Sequence, residues 1–186
     1  MADIWRDRPV VLGVTGGVAI FKIVGLASRL TQLGAAVDVV MTPAAAEFIR
    51  PLMFGAVTGR RVYLDQWDMS ERRPEHIGLA ERPDIVVVAP ATANTLAKMV
   101  HGVADNLLTS VLLATRKPVL VAPAMNVAMW NAPATAENLA VLARRGVRSI
   151  GPVSGYLACG YVGEGRMIGP DGILAEMEAM LVSGNA

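Results

Sequence analysis

The sequence predicts a doubly wound α/β fold in one domain: a parallel sheet covered by helices on both faces. Three observations predict it. The valine-rich runs "VVLGV" (10–14), "AVDVVMT" (36–42), "DIVVVAPAT" (84–92) and "KPVLVAPAM" (117–125) lack strict polar alternation and suit strands buried on both sides. A stretch with helical character follows each run. No repeat, low-complexity tract or linker divides the 186 residues, a length that supports one sizeable core.

The elements can be justified in order. After the first run, Ile23, Leu26, Ala27, Leu30 and Leu33 recur at helical intervals, and Gly34 ends that helix. Thr42 can cap a helix over "PAAAEFI", whose first residue, Pro43, suits the first turn. Pro74 and Glu75 mark a helix start in "PEHIGLAERPD". "ANTLAKMV" continues as a helix after the third run, with His101 before Gly102 as a helix-end residue serving the last carbonyls. Residues 103–115 are apolar at 104, 107, 108, 111 and 112, with leucine beyond one stripe, which predicts a helix buried on more than one side. "ATAENLAVLARRG" is a helix, "VRSIGP" a fifth and weaker strand, and "DGILAEMEAMLV" a final helix. Glycine is so dense in "SGYLACGYVGEGRM" (154–167) that a mobile loop or flap near the ligand edge is expected there rather than a regular element.

Composition narrows the function. A hydrophobic content of 53% and a mean hydropathy of +0.44 are high for a soluble chain, so the excess apolar surface is expected between subunits. No run approaches the roughly 18 to 20 apolar residues of a membrane span, and "MADIWRDRP" lacks the layout of a signal peptide, which predicts a cytoplasmic protein. Seventeen basic and 16 acidic side chains give a formal charge of +1 without blocks of either sign, which argues against nucleic acid or a membrane surface as partner. The single cysteine, Cys159, has no internal partner for a disulfide, and His76 and His101 have no zinc-ligand spacing, so no metal is expected.

In a doubly wound sheet the ligand lies beyond the carboxyl ends of the strands, so the loops there are the candidates. "VTGGVA" (14–19) ends the first strand, where Gly16 and Gly17 allow close backbone approach and the next helix offers free N–H groups. Phosphate is the natural occupant, and a tight strand-to-helix turn is the plain alternative. The spacing of Gly13, Gly16 and Gly17 is not the dinucleotide pattern, and Asp38 sits too early in its strand to hold a ribose, so a mononucleotide fits better. Thr42 and the group Thr92, Ala93, Asn94 and Thr95 add short polar side chains at helix starts, as ligand donors or as caps. His76, near a positive helix end, is expected to stay neutral. Arg166 can clamp a carboxylate or phosphate, or be a solvated loop charge. In "PAMNVAMW" (123–130), Asn126 is either hydrogen-bonded as a helix cap or faces something that is not protein.

Together "TGGVAIFK", "EHIGLA", "APATANT", "GVADNLLT", "PAMNVAMW" and "LACGYVGEGRM" resemble the flavin-containing cysteine decarboxylases over about residues 9–170, nearest to the branch that acts on 4'-phosphopantothenoylcysteine in coenzyme A synthesis. The resemblance implies a Rossmann-like or flavodoxin-like flavoprotein. It places an FMN pocket on Thr15, Gly16, Gly17, Val18, Thr42, Thr92, Ala93, Asn94, Thr95, Ala124 and Met125. It assigns His76, Asn126 and Cys159 to catalysis, with Cys159 as proton donor, and Asn126, Met129, Ala158, Gly160, Arg166 and Met167 to the substrate. It also implies a site at a subunit contact, in trimers or dodecamers built of trimers, and a phosphopantothenate–cysteine ligase as fused or separate partner. Tyr161 stands where many relatives have an aspartate. The alternatives are a peptidyl-cysteine decarboxylase, which the cysteine-bearing flap disfavours, and a non-catalytic flavin-binding regulatory subunit, against which Asn126 and Cys159 argue.

Overall fold

The computed structural model describes residues 4–68, 75–158 and 160–183. Its central sheet is parallel throughout and has six strands: β1 (Pro9–Val14), β2 (Ala36–Met41), β3 (Val62–Tyr63), β4 (Ile85–Ala91), β5 (Val119–Pro123) and β6 (Arg148–Ser149). They lie in the order β3-β2-β1-β4-β5-β6, so the chain winds outward one way from β1 and the other way from β4. The four expected strands are its centre, and β6 is the weak fifth. The two outermost strands have only two residues each.

Strand residues alternate between two cores, as the period of two requires. Val10, Leu12 and Val14 of β1, with Ile85, Val87 and Ala89 of β4, face a layer made by α1 (Ile20–Gln32), α2 (Pro43–Phe48), α3 (Pro51–Thr58) and α9 (Pro170–Ser183). Val11, Val86 and Val88 face the opposite layer, made by α4 (Glu75–Glu81), α5 (Ala93–His101), α6 (Leu107–Ala114) and α8 (Pro133–Arg144). In α1 the buried stripe is Ile20, Ile23, Leu26, Ala27 and Leu30, which matches the spacing in the sequence. Asp38 is buried within β2 and pairs with the Arg60 guanidinium at 2.8 Å, so its charge is used inside the fold.

Two expectations need correction. The buried helix begins at Leu107 rather than near 103, because Asn106 caps it: its Oδ1 accepts from the Thr109 N–H, and Thr109 Oγ1 accepts from the Asn106 N–H. The second correction concerns the glycine-rich stretch. The described residues of 154–167 are not an irregular loop throughout: β7 (Val153–Tyr156) pairs with β8 (Val162–Arg166) as an antiparallel hairpin separate from the main sheet. Its glycines permit contact: a Cβ at Gly163 would stand 2.6 Å from a Val127 methyl, and one at Gly165 would stand 2.3 Å from the Met125 carbonyl oxygen. Glycine lets the ribbon lie directly on the segment that follows β5.

Candidate active site

A cleft of about 520 Å³ opens where β1 and β4 lie side by side, the point at which the winding reverses. That is where a doubly wound sheet leaves a crevice, and the volume suits a small ligand or cofactor.

The first wall is the connection from β1 into α1. Gly16 packs so tightly that an added Cβ would lie 2.6 Å from the Ala44 side chain, so the fold itself requires glycine there. Gly17 is different. A Cβ there would meet Pro90 and Thr92 only at 3.7 Å, an ordinary contact, so the protein's own packing does not demand glycine on this stretch of wall. The N–H groups of Gly17, Val18 and Ala19 have no hydrogen-bond partner among the described residues, and no side chain caps α1. Thr15 does not line the cleft. It is buried, donates its hydroxyl proton to the Pro90 carbonyl at 2.6 Å and accepts from the Thr92 N–H at 3.2 Å, which ties the β1 and β4 loops together.

The second wall begins at Thr92 and Ala93. Thr92 caps α5 by accepting from the Thr95 N–H at 3.3 Å, and the two threonine hydroxyls lie 3.1 Å apart. The short polar groups read from the sequence do not all converge. Thr95 is buried, Asn94 is exposed and not among the residues lining the cleft, and Thr42 is buried as the cap of α2, accepting from the Ala45 N–H at 3.2 Å.

The third wall is Ala124, Met125, Asn126 and Met129. Asn126 resolves its two readings by using both ends of one amide. Its Oδ1 accepts from the Met129 N–H at 2.8 Å and caps α7 (Val127–Trp130), its Nδ2 makes no hydrogen bond among the described residues, and the residue lines the cleft. The residue is exposed, so the amide incurs no burial cost in this chain.

The hairpin closes the cleft with Tyr156, Leu157, Ala158, Gly165, Arg166 and Met167. It is latched by the Met125 N–H, which donates to the Gly165 carbonyl at 3.0 Å, and by the Trp130 indole, which donates to Glu164 Oε2 at 3.3 Å. Lys22 enters from the first turn of α1, its ammonium 3.5 Å from the Met167 carbonyl. Burial, and then the Arg166 guanidinium, hold its pKa below the usual lysine range.

Of the residues expected at the site, Gly16, Gly17, Val18, Thr92, Ala93, Ala124, Met125, Asn126, Met129, Ala158, Arg166 and Met167 line the cleft. His76 does not; it lies on α4, in the layer that packs on α6. Gly160 is exposed and off the lining, and Cys159 lies outside the described residues. Sequence reading missed Ala19, Phe21, Lys22, Tyr156, Leu157 and Gly165 as lining. For Lys22 a signal existed: it falls off the stripe of Ile23, Leu26 and Leu30 but belongs to the turn that faces the glycine loop.

Comparison with known proteins agrees with this geometry. The Flavoprotein family model matches residues 4–181. The coenzyme A biosynthesis bifunctional protein CoaBC of Bacillus subtilis (strain 168) is 46% identical over 172 residues, which cover 91% of this chain and 42% of that protein. The chain thus spans about two-fifths of the length of the curated relatives it matches. Among solved structures, a cysteine-to-serine mutant of PPC decarboxylase complexed with pantothenoylaminoethenethiol superposes with a TM-score of 0.84 at 34% identity, covering 94% of this chain and 98% of that one. The FMN-dependent cysteine decarboxylase SpaF superposes with a TM-score of 0.83 at 31% identity, covering 98% of this chain and 99% of that one. With its six-stranded parallel sheet, its switch-point cleft and a family match over nearly its whole length, the chain belongs to the Flavoprotein family, whose cofactor is a flavin.

Proposed function

We propose that the chain catalyses the FMN-dependent decarboxylation of 4'-phosphopantothenoylcysteine to 4'-phosphopantetheine, a step of coenzyme A biosynthesis in the cytoplasm. The observation that carries this reading is the unbonded carboxamide nitrogen of Asn126, held between Met125 and Met129 on the wall of a cleft that the hairpin overhangs. The relatives named above support it.

The residues present fit a flavin mononucleotide. Ala124, Met125 and Met167 give apolar surface for a flat ring, while the free N–H groups beside Gly17 and the cations Lys22 and Arg166 suit a phosphate. A flavin bound there would supply a two-electron sink, able to accept a hydride from the carbon bearing sulfur and to return it. The substrate would thus pass through a thioaldehyde, able to accept the electron pair released when the neighbouring carboxylate leaves as CO₂, and the resulting enethiol would then take a hydride and a proton to become the thiol product.

Asn126 Nδ2 donates to the substrate carboxylate and fixes its direction, and its cap to Met129 holds the amide in one rotamer. Met125 and Met129 favour neutral CO₂ over the charged carboxylate. His76 accepts the substrate thiol proton or orients the thiol. Cys159 donates the last proton, and Ala158, Gly160, Arg166 and Met167 hold the substrate on the hairpin side. Thr15, Thr42 and Thr95 serve the cofactor through the loops they pin rather than through the cleft surface, and Asn94 serves it from the first turn of α5.

His76 stands apart from the cleft of its own chain, and Val18 and Phe21 are 56% and 64% exposed beside it. Both facts support a site completed by a second copy, in a trimer or a dodecamer built of trimers. A phosphopantothenate–cysteine ligase, fused or separate, is the partner that supplies the substrate. No helix among the described residues is long and apolar enough to cross a membrane, and no metal-binding cluster of His, Cys, Asp and Glu occurs among them.

The deciding experiment is an anaerobic incubation of the flavin-loaded protein with phosphopantothenoylcysteine and, separately, with a peptide ending in cysteine, each followed for CO₂ and thiol product. CO₂ and phosphopantetheine from the first are expected. Turnover of the peptide alone would replace this substrate, and no CO₂ from either would leave a binding protein.

A further inference from the structure

The cleft lining holds two cationic side chains and no acidic one. Several cations elsewhere have acidic partners: Arg8 pairs with Asp84, Arg60 with Asp38, Lys98 with Asp105 and Arg148 with Glu176. Lys22 and Arg166 have no ion pair among the described residues. Lys22 has only a long contact of 3.5 Å to the Met167 carbonyl and the edge of an interaction with the Phe21 ring, 5.9 Å from its centroid. A lone cation on an open surface is hydrated at little cost, but two that line one cleft and act on each other repel, and an anion between them offsets that repulsion.

The corner is also shaped for Arg166. A Cβ at Gly155 would stand 2.9 Å from both Cδ and Nη1 of Arg166, so glycine on the facing strand provides the room in which the guanidinium lies. Arginine presents a planar fork and lysine a compact point charge, and two positive charges match a dianion better than a monoanion. A phosphate monoester is the dianion that fits this description, whereas a carboxylate has half the charge and is already provided for at Asn126.

We propose that Lys22 and Arg166 form a two-cation seat for a phosphate monoester, with Lys22 as a specificity-determining residue. The phosphate belongs either to the flavin mononucleotide or to the phosphorylated end of the acyl substrate; the chemistry is the same, and the two sources separate by experiment. Only the choice of substrate pair in that experiment rests on the function proposed above.

The full-length chain is compared as wild type, Lys22→Met, Lys22→Arg and Arg166→Gln. In the first arm, flavin is removed and the affinities for FMN and riboflavin are measured by fluorescence quenching. In the second, the flavin-loaded protein is titrated with phosphopantetheine and with pantetheine, followed by the change in flavin absorption. The wild type is expected to prefer the phosphorylated member of one pair by about tenfold or more, the range for a charge-assisted hydrogen bond. Lys22→Met and Arg166→Gln should remove most of that preference and leave the affinity for the unphosphorylated member unchanged, while Lys22→Arg retains it. The arm in which the preference collapses identifies the source of the phosphate. Unchanged preference in both arms, or equal loss for both members of a pair, overturns the seat. Neither arm depends on CO₂ release, so its failure leaves the decarboxylase reading standing, and failure of that reading leaves the flavin arm intact. Melting temperatures no lower than that of the wild type exclude misfolding as the cause.

Discussion

The Met125 N–H donates to the Gly165 carbonyl at 3.0 Å, and the Gly165 α-carbon comes so close that a Cβ would lie 2.3 Å from the Met125 oxygen. Gly165 also has φ +132°, where side chains are strained. Gly165→Ala therefore cannot keep the hairpin seated. Backbone strain alone costs on the order of 1–3 kcal/mol, and lifting the hairpin relieves it without touching the main sheet. Limited proteolysis should cut within 153–166, substrate affinity should fall at least several-fold, and the far-ultraviolet dichroism should persist. Wild-type protection from protease would show that the contact is dispensable.

Asn126→Asp keeps an oxygen for the Met129 N–H but replaces the free amide donor with a second carboxylate oxygen. The variant should melt near the wild-type temperature and bind flavin, yet lose turnover because the site now repels the substrate carboxylate. Asn126→Ala removes cap and donor together and should in addition lose about 1 kcal/mol, the usual value of a helix cap. Urea denaturation of the pair separates the two contributions. Equal turnover by wild type and Asn126→Asp would remove the amide from substrate binding.

His76 and Asn126 belong to different parts of the chain's surface, the one on α4 and the other at the cleft. If two copies share a site, His76→Asn and Asn126→Asp subunits that are each inactive should regain activity when unfolded together and refolded as a mixture. Mixed assemblies then contain some sites with both wild-type residues. A mixture no more active than its parents would confine each site to one chain.

For Lys22 the folded pKa is lowered, by burial first and then by Arg166. The protonated form is thus disfavoured by folding, a penalty fully present below the folded pKa and released as pH rises from there toward the ordinary lysine value of 10.5. In the flavin-free chain Lys22→Met should raise the melting temperature modestly at neutral pH, and the gain should shrink as the buffer is made alkaline. A gain independent of pH would assign the effect to methionine packing.

The central strands were legible because valine runs buried on both faces leave a continuous apolar signature, and α1 was legible from its stripe. Val62–Tyr63 was not: two residues paired only to Val39 and Val40 leave no periodicity to detect. Nor was the hairpin, since the partner that makes its glycines necessary, residues 125–127, lies some 40 positions earlier. The loops of the site could be read from glycine, threonine and asparagine at strand ends, but Thr15, Thr42 and Thr95 turned inward to pin those loops. For Lys22 the signal was only its place on the turn that faces the glycine loop, since a lysine off a helix's buried stripe otherwise looks like any solvated charge.

Both margins of the main sheet end in strands of two residues, Val62–Tyr63 and Arg148–Ser149. Such short rims offer almost no run of unsatisfied backbone groups for another chain to extend, which protects the protein from edge-to-edge polymerisation. Association between copies through the margins of the main sheet is therefore disfavoured, which leaves it to other surfaces, where shape and composition can limit the number of subunits that join.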